Sequence, residues 1–332
     1  MISYLSPTSF SLYQQDPLLF YQKYISPNSS SLIREPQSKP MAVGSAFDAY
    51  IKSYLFLSLF GPSAEGADHY SFDALFTSMV DPQNRDWALP NGKYVFEQYK
   101  AAGVLQDLLS ALEVSRSPRF EFSVYGVASG YREGIQDTII NIPLSGKPDL
   151  SFIITDKDQN DINVILDFKV NGFLSKHNIS PTKGYTALKS LNTDFGSHKS
   201  SLFSRVGPLT INLSIPLNDS NPQWATQMSI YAWLTGSSPG SRSFIAGVDQ
   251  IVCSDSNGGQ RLPSIKVATH RSFIDEKFQV SLFNSLHSLW ELLSQKPLHF
   301  FRDLSLEDSL ARQEMLDQQA STEKDQWFQT LR

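Results

Sequence analysis

The chain has 332 residues, of which 41% are hydrophobic and 12% aromatic, so it is long and apolar enough to bury a sizeable core. Its formal net charge of -5 gives no global electrostatic reason to expect a nucleic-acid partner. The only cysteine, Cys253, excludes an internal disulfide, a cysteine-ligated zinc and a four-cysteine iron-sulfur cluster.

The N-terminal third predicts mainly helices. Residues 6–25 combine a capped helix start with aromatic and aliphatic residues at helical spacing, and 27–40 is a loop rich in Ser and Pro. A helix follows at 41–56, glycine interrupts it at 61–68, and further helices are predicted around 71–80 and 93–113. With no signal peptide and no apolar run of membrane-spanning length, we expect a cytoplasmic, non-secreted protein without a membrane partner.

The periodicity changes from helical to strand-like after Arg119. Strands are predicted from 119 to 124 and at 138–144, 149–155 and 162–170. Residues 171–221 show little periodicity and are too long for an ordinary connection, so they form a candidate functional loop or insertion. A helix at 225–236, strands at 244–253 and 265–271 and a helix at 274–296 complete the pattern. We predict three regions: 1–115, mainly helical; 116–300, a core containing the 171–221 insertion; and 301–332, a helical tail.

A β-hairpin brings two aspartates together. The turn-rich residues 156–161 separate two apolar strands, and a hairpin centred near Asp158 pairs Asp149 with Asp167, with Cβ atoms roughly 5 Å apart. Lys169 lies two residues further on the same face, while Leu166 and Phe168 point into the core.

Two adjacent carboxylates repel each other unless a proton or a cation lies between them. Mg²⁺ prefers such hard oxygen ligands, and a neighbouring lysine ammonium can stabilise charge developing on a phosphate. A surface hairpin with a salt-bridged Asp and Lys is the alternative interpretation of the DxK triplet alone.

The KPD motif at 147–149 followed by DFK at 167–169 resembles the signature of PD-(D/E)XK nucleases. The flanking motifs resemble the RecB-like branch: SPTSFSLYQQDPLLFYQKYI and then GSAFD precede the signature, and QMSIY follows it. The resemblance covers roughly residues 8–235. It implies that Asp149 and Asp167 bind metal, that Lys169 assists hydrolysis, and that Gln227 and Tyr231 position the substrate.

The chain departs from the RecB-like pattern at two positions. Asp48 stands where the family's helix usually has histidine, which keeps a metal ligand and suits Mg²⁺. Asp16 stands where many relatives place the first cysteine of an iron-sulfur cluster, so no cluster is expected.

The resemblance implies an α/β fold in which helices flank a central mixed sheet, with a restriction-endonuclease-like core. One or two Mg²⁺ or Mn²⁺ ions, held by Asp48, Asp149, Asp167 and the Phe168 carbonyl, would support hydrolysis of DNA. An exonuclease is the first expectation, and an endonuclease stays open. A helicase or recombination partner and a viral origin are associations only. Two rivals are an inactive DNA-binding subunit of the same fold and an RNA-directed endonuclease.

A basic segment follows the DxK motif in an otherwise acidic chain. Between Lys169 and Arg205 only Asp194 opposes the cations, so we predict a DNA path, with a solvated loop as the alternative. Its predicted nucleic-acid contacts are Lys176, Lys183, Lys189, Lys199 and Arg205. Glu121 could reach the acids, but we interpret it as an exposed strand residue.

Overall fold

The computed structural model describes residues 2–26, 36–132, 135–191, 193–199, 201–254 and 261–295. The chain forms two compact units: Arg34–Phe283, and Met1–Ile33 with the residues from Asn284 onward. The predicted helical tail, 301–332, lies outside the described residues. In the described ranges, no helix combines the length and apolar character needed to cross a membrane.

The N-terminal unit begins with helices α1 (Pro7–Gln15) and α2 (Pro17–Tyr24), which confirms the capped helical start. Ser6 and Ser9 form a capping box at the start of α1. The Asp16 carboxylate accepts a hydrogen bond of 2.9 Å from the Leu19 amide and so caps α2. Asp16 thus marks the start of α2.

The helices of the larger unit begin with α3 (Lys39–Phe60), α4 (Phe72–Met79), a 3-10 turn (Pro82–Asn84), α5 (Arg85–Ala101) and α6 (Val104–Glu113). Gly61 ends α3 with a φ of 82°, as the glycine interruption predicted. The single helix predicted at 93–113 is wrong, because Gly103 adopts a φ of 79° and separates α5 from α6.

The remaining elements confirm the predicted change to strands. They are β1 (Arg116–Phe120), β2 (Val124–Arg132), β3 (Ile135–Gly146), β4 (Leu150–Thr155), β5 (Asp161–Asn171), β6 (Ala187–Ser190), β7 (Thr193–Asp194), β8 (Phe203–Val206), β9 (Leu209–Asn212), α7 (Leu217–Ser220), α8 (Pro222–Leu234), β10 (Phe244–Ser254), β11 (Ser264–Ser272) and α9 (Glu276–Gln295). One strand from 119 through 124 is wrong: Glu121, with a φ of 40°, turns the chain between β1 and β2.

The central sheet is mixed. Its strand order is β1-β4-β5-β10-β11-β6-β7, and β9 pairs with both β11 and β8. Strands β5 and β10 are parallel, as are β9 and β11, whereas the other pairs are antiparallel. Strands β2 and β3 form a separate sheet. The insertion 171–221 therefore contains short strands, and β6 extends the sheet beyond β11.

Helices cover both faces of the central sheet. On the first face, α3, α5 and α6 pack around Leu166 and Phe168 of β5, which confirms that these two side chains enter the core. On the second face, α8 packs against Ile165 of β5 and Val248 of β10. Because side chains alternate along a strand, Asp167 and Lys169 belong to the second face with Ile165.

Candidate active site

The β4–β5 hairpin has the predicted register. Leu150 pairs with Leu166 and Thr155 with Asp161, so one further step places Asp149 beside Asp167. The Asp156 carboxylate closes the turn by accepting bonds of 2.8 Å from the amides of residues 158 and 160. The hairpin and the convergence of its two aspartates are thus confirmed.

Asp149 is held by one ammonium and one amide. Its Oδ1 accepts a hydrogen bond of 2.8 Å from Lys52 Nζ, and its Oδ2 accepts one of 3.0 Å from the Phe168 amide. Burial raises the pKa of Asp149, but the charges of Lys52 and Lys169 outweigh burial and hold this pKa below its ordinary value. Asp149 is therefore ionised at neutral pH.

Asp167 has the opposite electrostatic environment. It is 3% exposed, and burial raises its pKa well above the ordinary value, with the hydrogen-bonded Asp149 carboxylate adding to the effect. Lys169 Nζ forms an ion pair with Asp167 Oδ2, but this buried oxygen has no hydrogen-bond partner of good geometry among the described residues. A carboxylate in this state has unused capacity for a cation.

Lys52 of α3 lies among the acids, and sequence reasoning missed it. Its side chain is 1% exposed, and Nζ lies 3.7 Å from Asp48 Oδ2, 2.8 Å from Asp149 Oδ1 and in contact with Glu121. Burial lowers the pKa of Lys52, but the three carboxylates outweigh burial and raise it well above its ordinary value. This lysine is therefore a permanent ammonium.

Glu121 also belongs to the cluster, so its interpretation as an exposed strand residue is wrong. Its carboxylate, 10% exposed, contacts the ammonium groups of Lys52 and Lys147. The Glu121 amide donates a hydrogen bond of 2.9 Å to the Asp149 carbonyl oxygen. No spacing rule identifies this residue, because the bend after β1 sets the direction of its side chain.

Asp48 joins the cluster through Lys52, four residues further along α3. Burial raises the pKa of Asp48 to about 7, an effect that Lys52 opposes and that the carboxylates of Asp149 and Glu121 reinforce. The Asp48 side chain is 22% exposed, so it lies at the edge of the cluster.

The acidic cluster offers part of the ligand set of a metal site. In the described part of the chain, no three His, Cys, Asp or Glu side chains are arranged to hold a metal ion. Two adjacent carboxylates do meet, Asp149 and Asp167, and one of their buried oxygens lacks a hydrogen bond. Mg²⁺ commonly binds through one or two carboxylates plus water and substrate phosphate oxygens. The Asp149–Asp167 pair fits that donor set, and Lys52 contacts both Asp149, at 2.8 Å, and Asp48, at 3.7 Å.

Gln227 and Tyr231 share one face of α8, as predicted from their spacing. Gln227 Nε2 donates a hydrogen bond of 2.9 Å to the Tyr231 hydroxyl. Burial raises the pKa of Tyr231 to about 12, and Asp167 and Asp149 contribute to this shift. Gly146 allows the Tyr231 ring to pack against the backbone of β3, because a Cβ at this position would lie 2.6 Å from Cδ1 of the ring. The tyrosine thus lies near the acid pair.

The predicted nucleic-acid contacts separate into two groups. Lys189 pairs in register with the core residue Val267, so it faces the first face, where Nζ lies 2.5 Å from Asp107 of α6. With Arg205 it lines a cavity of about 490 Å³. Strands β10 and β11 separate it from β5. Arg205 is itself exposed. The remaining predicted contacts are also exposed, and no contact of these cations with the acidic cluster is described: Lys176, Lys183 and Lys199.

Comparison of the chain with protein-family models, with curated proteins and with solved structures finds no match in any of the three.

Proposed function

We propose that this protein is a metal-dependent nuclease that hydrolyses DNA phosphodiester bonds, with an exonuclease acting at DNA ends as the first choice. The observation that carries the proposal is the buried pair of Asp149 and Asp167, with the Lys169 ammonium on Asp167. The resemblance of the KPD and DFK motifs to PD-(D/E)XK nucleases supports the same reaction and core fold.

Asp149 and Asp167 are the residues that would hold Mg²⁺ or Mn²⁺. The resemblance implies Asp48 and the Phe168 carbonyl as further ligands, but the Asp48 carboxylate forms an ion pair with Lys52. Such a cation, when bound, neutralises phosphate charge and makes water a stronger nucleophile. The Phe168 amide keeps Asp149 fixed, and this prior orientation lowers the cost of assembling the site.

Lys169 would act on the reaction rather than on folding. Burial lowers its pKa, but Asp167 and Asp149 more than compensate and raise it, so the group is an ammonium at neutral pH. A fixed positive charge at this position stabilises the charge that develops on the phosphoryl oxygens during hydrolysis. The hydrogen bond between Gln227 and Tyr231 fixes both polar groups near the acids, where they would orient the substrate.

The exposed lysines of the 171–221 segment support a nucleic-acid substrate, because cations along a backbone path supply sequence-independent affinity. The choice of DNA over RNA rests on the resemblance. A direct test incubates end-labelled linear DNA, closed circular DNA and a matched RNA strand with Mn²⁺. We expect short products from linear DNA, intact circles and no products with Asp167→Asn.

The outcomes separate the alternatives. Cleavage of closed circles would identify an endonuclease, and preferential cleavage of RNA would identify an RNA-directed enzyme. Failure of the wild type to cleave any substrate with either cation would overturn the proposed activity.

One observation favours a second candidate, a DNA-binding subunit without activity. Lys52 and Lys169 neutralise much of the acidic cluster, so the fold does not require a metal. Isothermal titration calorimetry distinguishes the two functions, because an inactive subunit would bind DNA but neither Mg²⁺ nor Mn²⁺.

A further inference from the structure

We infer that Lys52 is a fixed cation of the proposed active site, which therefore holds one divalent ion, at Asp149 and Asp167, and not two. The ammonium supplies the charge that a second ion would supply beside Asp48 and Glu121. This inference rests on the proposed function and specifies the cation content of the same site.

The position of Lys52 carries the inference. Nζ reaches carboxylate oxygens of Asp48, Glu121 and Asp149 from a side chain that is 1% exposed. An ammonium is a compact positive charge with three N–H donors, and Lys52 hydrogen-bonds to Glu121 and Asp149 and forms an ion pair with Asp48. A divalent ion at the same point would have to displace a buried lysine side chain that three carboxylates hold in place.

The charge balance favours the same conclusion. Four carboxyl groups, Asp48, Glu121, Asp149 and Asp167, face the ammonium groups of Lys52, Lys147 and Lys169, so even with every carboxyl ionised the cluster carries only one net negative charge. One divalent ion makes the cluster slightly positive, which suits an anionic phosphodiester. A second ion would enter an environment that is already positive, at a Coulombic cost.

The lysine also explains why no third carboxylate reaches the Asp149–Asp167 pair. Asp48 and Glu121 are the other two acids of the cluster, and both direct an oxygen to Lys52 Nζ. The described residues accordingly contain no three-carboxylate group arranged for a metal. Asp149 also pairs with Lys52, through Oδ1, so the ammonium lies directly beside the acid pair and occupies the space between that pair and the other two acids.

The test compares the wild type with Lys52→Met, which keeps the length of the side chain and removes its charge. Lys147→Met is the matched control, because Lys147 contacts the same Glu121 carboxylate from a side chain that is 56% exposed. Bound Mn²⁺ is counted by electron paramagnetic resonance, and melting temperatures are measured in EDTA and in saturating Mn²⁺. Neither readout depends on cleavage.

We expect one Mn²⁺ per chain in the wild type and in Lys147→Met, and two in Lys52→Met. In EDTA, Lys52→Met should melt on the order of 10 °C lower, because removal of one partner leaves buried charges unpaired. Mn²⁺ should then raise the melting temperature of this variant more than that of the wild type.

Two outcomes would overturn the inference alone: two Mn²⁺ ions on the wild-type chain, or unchanged stoichiometry and an unchanged Mn²⁺-induced shift in Lys52→Met. The wild-type count decides the case if the Lys52 variant does not fold. A wild type that binds no Mn²⁺ would instead overturn the proposed function on which the inference rests.

Discussion

Asp48→Asn should stabilise the metal-free protein at neutral and alkaline pH. Burial raises the pKa of Asp48 to about 7 from an ordinary value of 3.8, so the folded chain holds a proton that the unfolded chain releases. Where the folded state binds more protons, stability falls as pH rises. The wild type should therefore lose stability between about pH 4 and about pH 7, and asparagine at this position removes that loss.

The magnitude follows from the same shift. The pKa of Asp48 is displaced by about three units, and each unit corresponds to about 1.4 kcal/mol. The loss of unfolding free energy that asparagine removes is therefore at most about 4 kcal/mol. For a folded unit of this size, 4 kcal/mol corresponds to a change in melting temperature of about 10 °C. Lys52 remains paired with Asp149 and Glu121 in the variant, so the substitution does not leave a buried ammonium alone.

The assay is urea unfolding in EDTA at about pH 5 and about pH 8, where the protonation of Asp48 differs most. Asp158→Asn is the control, because it makes the same chemical change at an exposed position of the hairpin turn. The change in unfolding free energy between the two pH values should be the same in the wild type and in the control. It should be smaller in Asp48→Asn. Equal differences in all three proteins would refute the assignment of a protonated, buried Asp48.

Three further predictions concern the site and the DNA path. Lys169→Ala should keep Mn²⁺ and DNA affinity but lower the single-turnover cleavage rate by roughly 100-fold or more, since the ammonium acts on the transition state; a loss confined to DNA affinity would make it a phosphate anchor. Gly146→Ala should lower both the melting temperature and the cleavage rate, because the added Cβ would lie 2.6 Å from the Tyr231 ring. Gly44→Ala is the control and should fold normally, because the nearest contact of its Cβ would be at 3.9 Å. Equal melting temperatures and cleavage rates in the two variants would contradict this packing. Each lost phosphate contact should reduce the slope of log affinity against log salt by roughly 0.7 to 0.9. The variant that tests the DNA path replaces Lys176, Lys183 and Lys199 with alanine, and an unchanged slope in this variant would exclude the path. Lys189→Ala is the control, because Lys189 is already paired with Asp107, and it should change the slope less.

The acid pair was predictable because its determinants are local. A turn-forming segment between two apolar runs fixes the register of a hairpin, and the register fixes which side chains lie opposite each other. The same locality explains the errors in the helical region and the first strand. Gly103 and Glu121 each adopt a positive φ at a single residue, and one residue is too short to alter a periodic pattern.

Lys52 could not be predicted, because its partners are remote in sequence. It is 97 residues from Asp149 and 69 from Glu121, and its burial depends on how α3 packs against the sheet. Within α3 a lysine four residues after an aspartate predicts a solvated ion pair. Only the tertiary arrangement of several acids makes a buried ammonium stable, and that arrangement is not a periodic property of the chain.

The basic segment shows that cations clustered in sequence need not act together. The strands of this segment are too short for an alternation of apolar and polar residues to be recognised in the sequence. They nevertheless determine to which face of the sheet each side chain points. The register with Val267 turns Lys189 to the first face, where Asp107 partly neutralises it, while Lys169 faces the opposite side of the sheet. Lys189 and Lys169 therefore cannot contact the same phosphate. The proposed DNA path depends instead on the exposed Lys176, Lys183 and Lys199.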